Sequence, residues 1–311
     1  MATVEGASAG HQLGQVVGNW FEQYVALPLL ESVAAQLGLY CDSRFKQRPC
    51  RTDKLIWKDA DGNGVDYDFV FELDGTSSAQ GIPVAFFETF WRRGSRHSKD
   101  KARDDSGKLL GMRDAYPTAR LLGIVAAGDF TGPAQQLLLS RDIDLFYTSK
   151  AKIVSAWKDN AVVIDYDDKS PEQTKAEIAQ AAKHALTSDP GLAQKIAETL
   201  VSKIGAADRK AFEDRVSGRI GATPQQYRLL VVDKWGHDFD TRAEITEFLQ
   251  GAEPSLHGNK GERFYGYEVV FGAGDIFQRD DLDWTGVRKL HNDLERLVAH
   301  MEGLAQKALA H

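Results

Sequence analysis

The sequence predicts a mixed α/β fold: a central sheet flanked by helices, followed by a C-terminal α+β region that is largely helical. Three observations carry this expectation. Between residues 55 and 166, short apolar runs with strand spacing alternate with helical segments, as in a sheet covered by helices. Composition changes at Ser170, after which the chain as far as about Gly221 is rich in Ala, Lys and Glu. Two further strand candidates and a long terminal helix then follow. Residues 1–169 are therefore expected to form an α/β core and residues 170–311 a second region.

Taken in order, Val16, Val17, Trp20, Phe21, Tyr24, Val25, Leu29 and Leu30 lie near helical spacing and predict one amphipathic helix over 12–38. Pro28 is expected to kink it, because the ring removes a backbone donor, and Gly38 to end it. Strands are expected at 55–57, 65–73 and 83–91, the last two separated by a polar loop. A basic helix (98–116), a strand (121–127), a helix (133–140) and strands at 143–147 and 161–166 complete the core. Ser170-Pro171 marks a new helix start. In the second region strands are expected at 228–233 and 264–271, and helices at 241–249 and from Trp284 onward. The terminal helix carries an apolar stripe of Leu290, Leu294, Leu297, Val298 and Met301 that packs on its own domain.

Composition narrows the function. Of 311 residues, 42% are apolar and 27% charged, which is ordinary for a soluble globular protein. No apolar run approaches the roughly 18 residues of a membrane span, so no membrane association is expected. The N-terminus has no basic stretch leading into an apolar one, and a cytoplasmic location is expected. Cys41 and Cys50 are too few for a disulfide framework and lack zinc-like spacing. A net charge of -7 argues against coating nucleic acid with the whole surface. Any such contact must be local.

One segment supplies that locality. Residues 92–108 hold seven Lys or Arg (Arg92, Arg93, Arg96, Lys99, Lys101, Arg103, Lys108) against three Asp, a local charge of +4 within an acidic chain. A cationic stretch of this kind draws in phosphate. Read without its neighbours it is a solvated helix with Lys101–Asp105 and Asp104–Lys108 pairs. Just before it stand the acids. Period-2 alternation puts Asp66 and Asp68 on one face of 65–71, and Glu88 on a face shared with Val84, Phe86 and Phe90. A carboxylate among large apolar groups is costly unless it binds a metal, is paired or reaches solvent. Asp68 and Glu88 on adjacent strands would suit Mg²⁺, a hard ion satisfied by oxygen ligands, with Mn²⁺ as a substitute.

An Asp opening an apolar strand, a Glu late in the next and a helix after it resemble the PD-(D/E)xK nuclease superfamily, the fold of many restriction endonucleases. The resemblance covers roughly residues 10–170. It implies a restriction-endonuclease-like core, with Asp68 (Asp66 as the alternative) and Glu88 as the metal-binding acids. Glu22, on the early helix, would correspond to the glutamate that superfamily often places near the metal. The motif lysine, two residues after Glu88, is replaced by Phe90. Lys99 or Lys101 would then take its part by migration onto the following helix, or the site would be degenerate and only bind. The resemblance further implies a Mg²⁺-dependent DNA endonuclease, as in restriction or phage defence, with the C-terminal region serving target recognition or homodimerisation. A catalytically degenerate DNA-binding or assembly module is the rival, and an α/β enzyme acting on a small anionic molecule a third reading.

Several other patterns lack their context. Asp59-Ala60-Asp61-Gly62-Asn63-Gly64 begins like a calcium loop but has Val70 where a bidentate Glu is needed, and is expected to be a hairpin turn at Asn63-Gly64. Gly6-Ala7-Ser8-Ala9-Gly10 matches GxSxG without a preceding strand. The basic loop at 258–263 is expected to be a turn leading into core aromatics.

Overall fold

A mixed α/β architecture is what the chain adopts. The computed structural model describes residues 8–95, 98–231, 235–254, 264–272 and 274–309. Helix α1 (Ala9–Phe21) passes through a π-helical turn, Glu22–Ala26, into α2 (Leu27–Gln36). The expected kink at Pro28 is absorbed one turn earlier, where the Leu27 N–H donates to the Glu22 carbonyl five residues back. Proline has no N–H to give the Tyr24 carbonyl, and the widened turn ahead of it adapts the helix to that missing bond. Gly38, at φ +62, then closes the helix in the left-handed conformation.

Five strands form the main sheet, in the order β1 (Tyr40–Ser43), β4 (Phe69–Leu73), β5 (Ile82–Arg92), β6 (Leu121–Gly128) and β7 (Asp144–Ser149). Strands β1 and β4 are antiparallel, and β6 and β7 parallel, joined through α4 (Gly132–Ser140). A separate hairpin pairs β2 (Leu55–Lys58) with β3 (Gly64–Tyr67). The single strand expected over 65–73 is thus broken at Asp68, since β3 pairs with β2 and β4 with β1. The hairpin loop has Gly62 at φ +86 and the Asp59 carboxylate accepting from the N–H groups of Asp61 and Asn63; Gly64, expected in the turn, pairs with Lys58. Helix α3 (Ser98–Ala115) lies between β5 and β6 in the chain. After β7 come α5 (Lys150–Asp159), α6 (Glu172–Ser188), α7 (Leu192–Ile204) and α8 (Ala206–Ile220). Residues 162–166, expected as a strand, alternate in burial yet join no ladder.

The chain divides into two units that interleave along the sequence: residues 1–33, 87–106 and 123–214 make the first, and residues 34–86, 107–122 and 215–311 the second. The boundary expected at 169/170 falls inside the first. In that unit Trp20 meets Trp157 edge-on at 5.0 Å and donates from Nε1 to the Ala193 carbonyl at 2.9 Å, fastening α1 to α5 and α7.

The second unit contains a four-stranded antiparallel sheet, β11 (Ile276–Leu282), β10 (Tyr265–Phe271), β8 (Pro224–Val231) and β9 (Trp235–Phe239). Helix α9 (Arg242–Gln250), opened by a Thr241/Glu244 capping box, and α10 (Trp284–Leu309) pack with it. The stripe of α10 is buried at Leu290, Leu294, Leu297 and Val298, and Leu290, Leu294 and Val298 share a core with Tyr227, Leu229, Tyr265 and Phe271. Inside this core His291 is 1% exposed. Thr246 Oγ1 donates to the Arg242 carbonyl at 2.7 Å, so at 2.9 Å it accepts from His291 Nε2–H, while the Tyr267 hydroxyl donates to Nδ1 at 2.9 Å. Both nitrogens are satisfied in the neutral ring.

A second buried polar group sits among β1, β4 and the loop after β1. Arg48 donates to Asp42 at 2.5 Å, to both oxygens of Glu72 at 2.7 and 3.0 Å and to the Ala79 carbonyl at 2.6 Å, while Arg51 closes the other side of Asp42 at 2.8 Å. Side chains of Arg48 and Glu72 are wholly buried.

Two outcomes follow for stability. Replacing Arg48 by alanine takes the buried Glu72 carboxylate from its cation and leaves Asp42 to Arg51 alone, and is expected to cost about 3–5 kcal/mol in urea unfolding; a loss below about 1 kcal/mol would mean the acids are held by other groups. Burial, with Arg242 adding repulsion, holds the His291 imidazole down at about 4 against an ordinary 6.5. Because the folded form resists protonation, this contribution is complete above pH 6.5 and is lost as pH falls toward 4. Wild type should therefore lose about 2 kcal/mol between pH 7.5 and 5 that His291→Gln does not lose, and equal losses in both proteins would exclude His291 as the source.

Candidate active site

Strand β5 is buried almost from end to end, which suits its run of Ile82, Val84, Phe86, Phe87 and Phe90. Glu88 is 4% exposed within it. Period 2 puts Phe90 on the same face, and the Phe90 ring packs against Phe130 with centroids 5.1 Å apart. The position where the motif lysine would stand is thus filled by an aromatic contact.

Helix α3 sorts its charges by helical period. Ser98, Ala102, Asp105, Ser106, Leu109 and Met112 turn inward, Lys99 and Arg103 outward. Lys101 stands at the margin, its side chain 28% exposed. Its ammonium lies 5.7 Å from the centroid of the Phe90 ring and bonds Asp105 at 2.6 Å. A cation over an aromatic face and a charge-assisted hydrogen bond together fix that ammonium. Asp105 takes one of its three protons, leaving two directions for an oxygen of water or phosphate.

The ends of β5 and β6 hold this arrangement. The Arg92 carbonyl accepts from the Asp129 N–H at 2.7 Å. Gly128 has φ +103, and a Cβ there would stand 1.8 Å from the Arg92 oxygen, so only glycine permits the approach. Ser98, first residue of α3, shares a hydrogen bond with Thr131 at 3.0 Å, tying the helix start to the segment after β6.

The remaining expected residues fall as follows. Glu22 opens the π-helical turn of the first unit and is 8% exposed. Asp68, half-buried, lies at the bend between β3 and β4 in the second unit. Asp66 does not share a strand face with it: its carboxylate accepts from the Leu55 N–H at 3.0 Å and faces Lys54 at 3.9 Å, closing the β2–β3 hairpin. Among the described residues no three His, Cys, Asp or Glu side chains gather as a metal-binding group, so Asp66, Asp68, Glu22 and Glu88 are not assembled into one ligand cage. A donor set of that size is not required by Mg²⁺, which keeps most of its waters and needs one or two carboxylates beside phosphate.

Among the basic residues, Arg93 is engaged within the protein. It pairs with Asp165 at 3.4 Å and with Asp168, donates to the Tyr166 carbonyl at 3.0 Å and stacks on the Tyr166 ring. Arg103 faces Asp100 and Asp104 at 3.3 and 3.6 Å, with 62% of its side chain exposed. Lys99 is exposed, Arg92 half-buried. Lys108 belongs to the second unit, its ammonium 5.5 Å from the Tyr67 ring centroid. Arg96 and the loop at 258–263 lie outside the described residues. Ser8, of the GxSxG-like segment, accepts from the His11 N–H at 3.4 Å as the cap of α1.

No protein-family model and no curated protein matches the chain. Among solved structures it is similar to the crystal structure of a protein of unknown function, AF1548, at 12% identity and a TM-score of 0.29, over 55% of this chain and 99% of that one. Among the described residues no helix is long and apolar enough to cross a membrane.

Proposed function

We propose that this protein is a Mg²⁺-dependent endonuclease acting on DNA, with Glu88 as a metal ligand and Lys101 in the role of the displaced motif lysine. The observation that carries this reading is the Lys101 ammonium over Phe90, the motif position two residues from Glu88 on the same strand face. A bound Mg²⁺ would polarise the scissile phosphate and acidify an attacking water. Lys101, held by Asp105 and the Phe90 ring, would orient that water or steady charge gathering on the phosphate oxygens. Lys99 and Arg103, on the open face of α3, would bind backbone phosphate without touching the reacting atoms. Restriction or phage defence would be its setting.

A second reading has one observation in its favour. The Lys101–Asp105 pair at 2.6 Å is also what a helix would use for its own stability, as in a nuclease-fold module that binds DNA without cutting it.

Cleavage of plasmid DNA with Mg²⁺ or Mn²⁺ separates the two. Glu88→Ala and Lys101→Ala are expected to lower cleavage by about 10²–10³-fold or more while DNA affinity changes little. Lys99→Ala is expected to do the reverse, weakening affinity and reducing the slope of log K against log salt by about 1. DNA retardation in a gel without cleavage under either metal would establish the binding module. Equal small losses at Lys99 and Lys101 would refute the migrated lysine.

A further inference from the structure

The second unit holds a cavity of about 430 Å³ that the endonuclease reading does not use. Its walls are mostly apolar, formed by Leu37 after α2, Ile220 at the end of α8, Phe271 of β10, and Leu294, Leu297 and Met301 of α10. One cation intrudes on this lining. Arg120 stands in the wall with its side chain 7% exposed and its guanidinium carbon 3.3 Å from the Phe271 ring centroid.

The charge of Arg120 is incompletely answered. Among the described residues one carboxylate, Asp275, accepts from Nη2 at 3.1 Å, and that carboxylate is 32% exposed, so water weakens its field. The buried Nε has no hydrogen-bond acceptor. Arg113 and Arg219 add repulsion, and burial with that repulsion holds the guanidinium down at about 10, far below its ordinary value. The other charged wall residue, Glu302, is turned to Arg242 at 3.1 Å. A buried guanidinium with an unused donor beside an apolar chamber is costly alone and favourable once an anion arrives.

We propose that this cavity binds an amphipathic monoanion, a carboxylate carrying an apolar chain, with the head group on Arg120 and the chain along Leu294, Leu297 and Met301. The volume lies within the roughly 300–1,000 Å³ of small-molecule sites, and an apolar wall with one convergent charge is their usual composition. A polyanion does not suit a chamber whose other charged wall group is Glu302. This inference stands apart from the endonuclease reading, since none of its residues belongs to the candidate active site.

Calorimetric titration of the full chain tests it, with decanoate below its micellar concentration as the probe and decanol as the neutral control. Decanoate should bind saturably at one site, at least about tenfold tighter than decanol. Arg120→Met, which keeps the length of the stem and removes the charge, should erase that preference. Leu297→Trp, which fills the chamber, should abolish binding, and Met301→Trp serves the same purpose if Leu297→Trp does not fold. The proposal is overturned if decanoate fails to saturate, if it binds Arg120→Met as tightly as wild type, or if the folded cavity-filling variant binds it unchanged.

Discussion

A strand buried on both faces accepts a carboxylate only where its charge is answered, and β5 imposes that constraint on the whole candidate site. Its run of apolar side chains from Ile82 to Trp91 leaves solvent little access, yet Glu88 stands within it at 4% exposure. The elements at its end are organised around the same place. Gly128 lets the end of β6 come against the Arg92 carbonyl, Ser98 fastens α3 beside that junction, and Lys101 is carried over Phe90. An uncompensated carboxylate here would cost several kcal/mol, more than surface ion pairs return.

The second unit meets the same problem differently. Arg48 answers Asp42 and Glu72 through a wholly buried, many-toothed contact, so charge burial there is balanced within the protein. Raised above its ordinary value by the two acids despite desolvation, the Arg48 guanidinium stays charged at every pH the protein meets. Arg120 is the opposite case, a buried guanidinium whose one carboxylate partner is partly in water. Both guanidiniums leave a buried Nε without an acceptor, and the difference between them is that Arg48 faces two buried carboxylates and Arg120 one that is partly in water.

Much of the fold was legible from local pattern. The bounds of β5, α3 and β6 and the start of α10 lie within about two residues of those read from hydrophobic period and breakers. Failures were non-local. The apolar alternation of 65–73 is continuous in sequence, but its halves pair with different strands, and no residue at Asp68 announces the change. The segment expected as a strand over 161–166 alternates in burial at 162–166 but joins no ladder. Strand β1 is four residues long with Asp42 and Ser43 in it, too short and polar to declare itself. At the candidate site, Glu88 and Lys101 could be read from motif and charge density, as could the i, i+4 pair with Asp105. Sorting Lys101 from Lys99 required the buried face of α3, and the burial of Arg48 and Arg120 depends on segments far away in sequence.

The central claim is that Glu88 is a metal ligand beside a lysine supplied by α3. Electron paramagnetic resonance of Mn²⁺ added to the protein with a non-cleavable phosphorothioate duplex tests it without relying on turnover. A saturable site in wild type, weakened at least about tenfold in Glu88→Gln and unchanged in Lys99→Ala, is the predicted result. Equal Mn²⁺ affinity in wild type and Glu88→Gln would contradict the account.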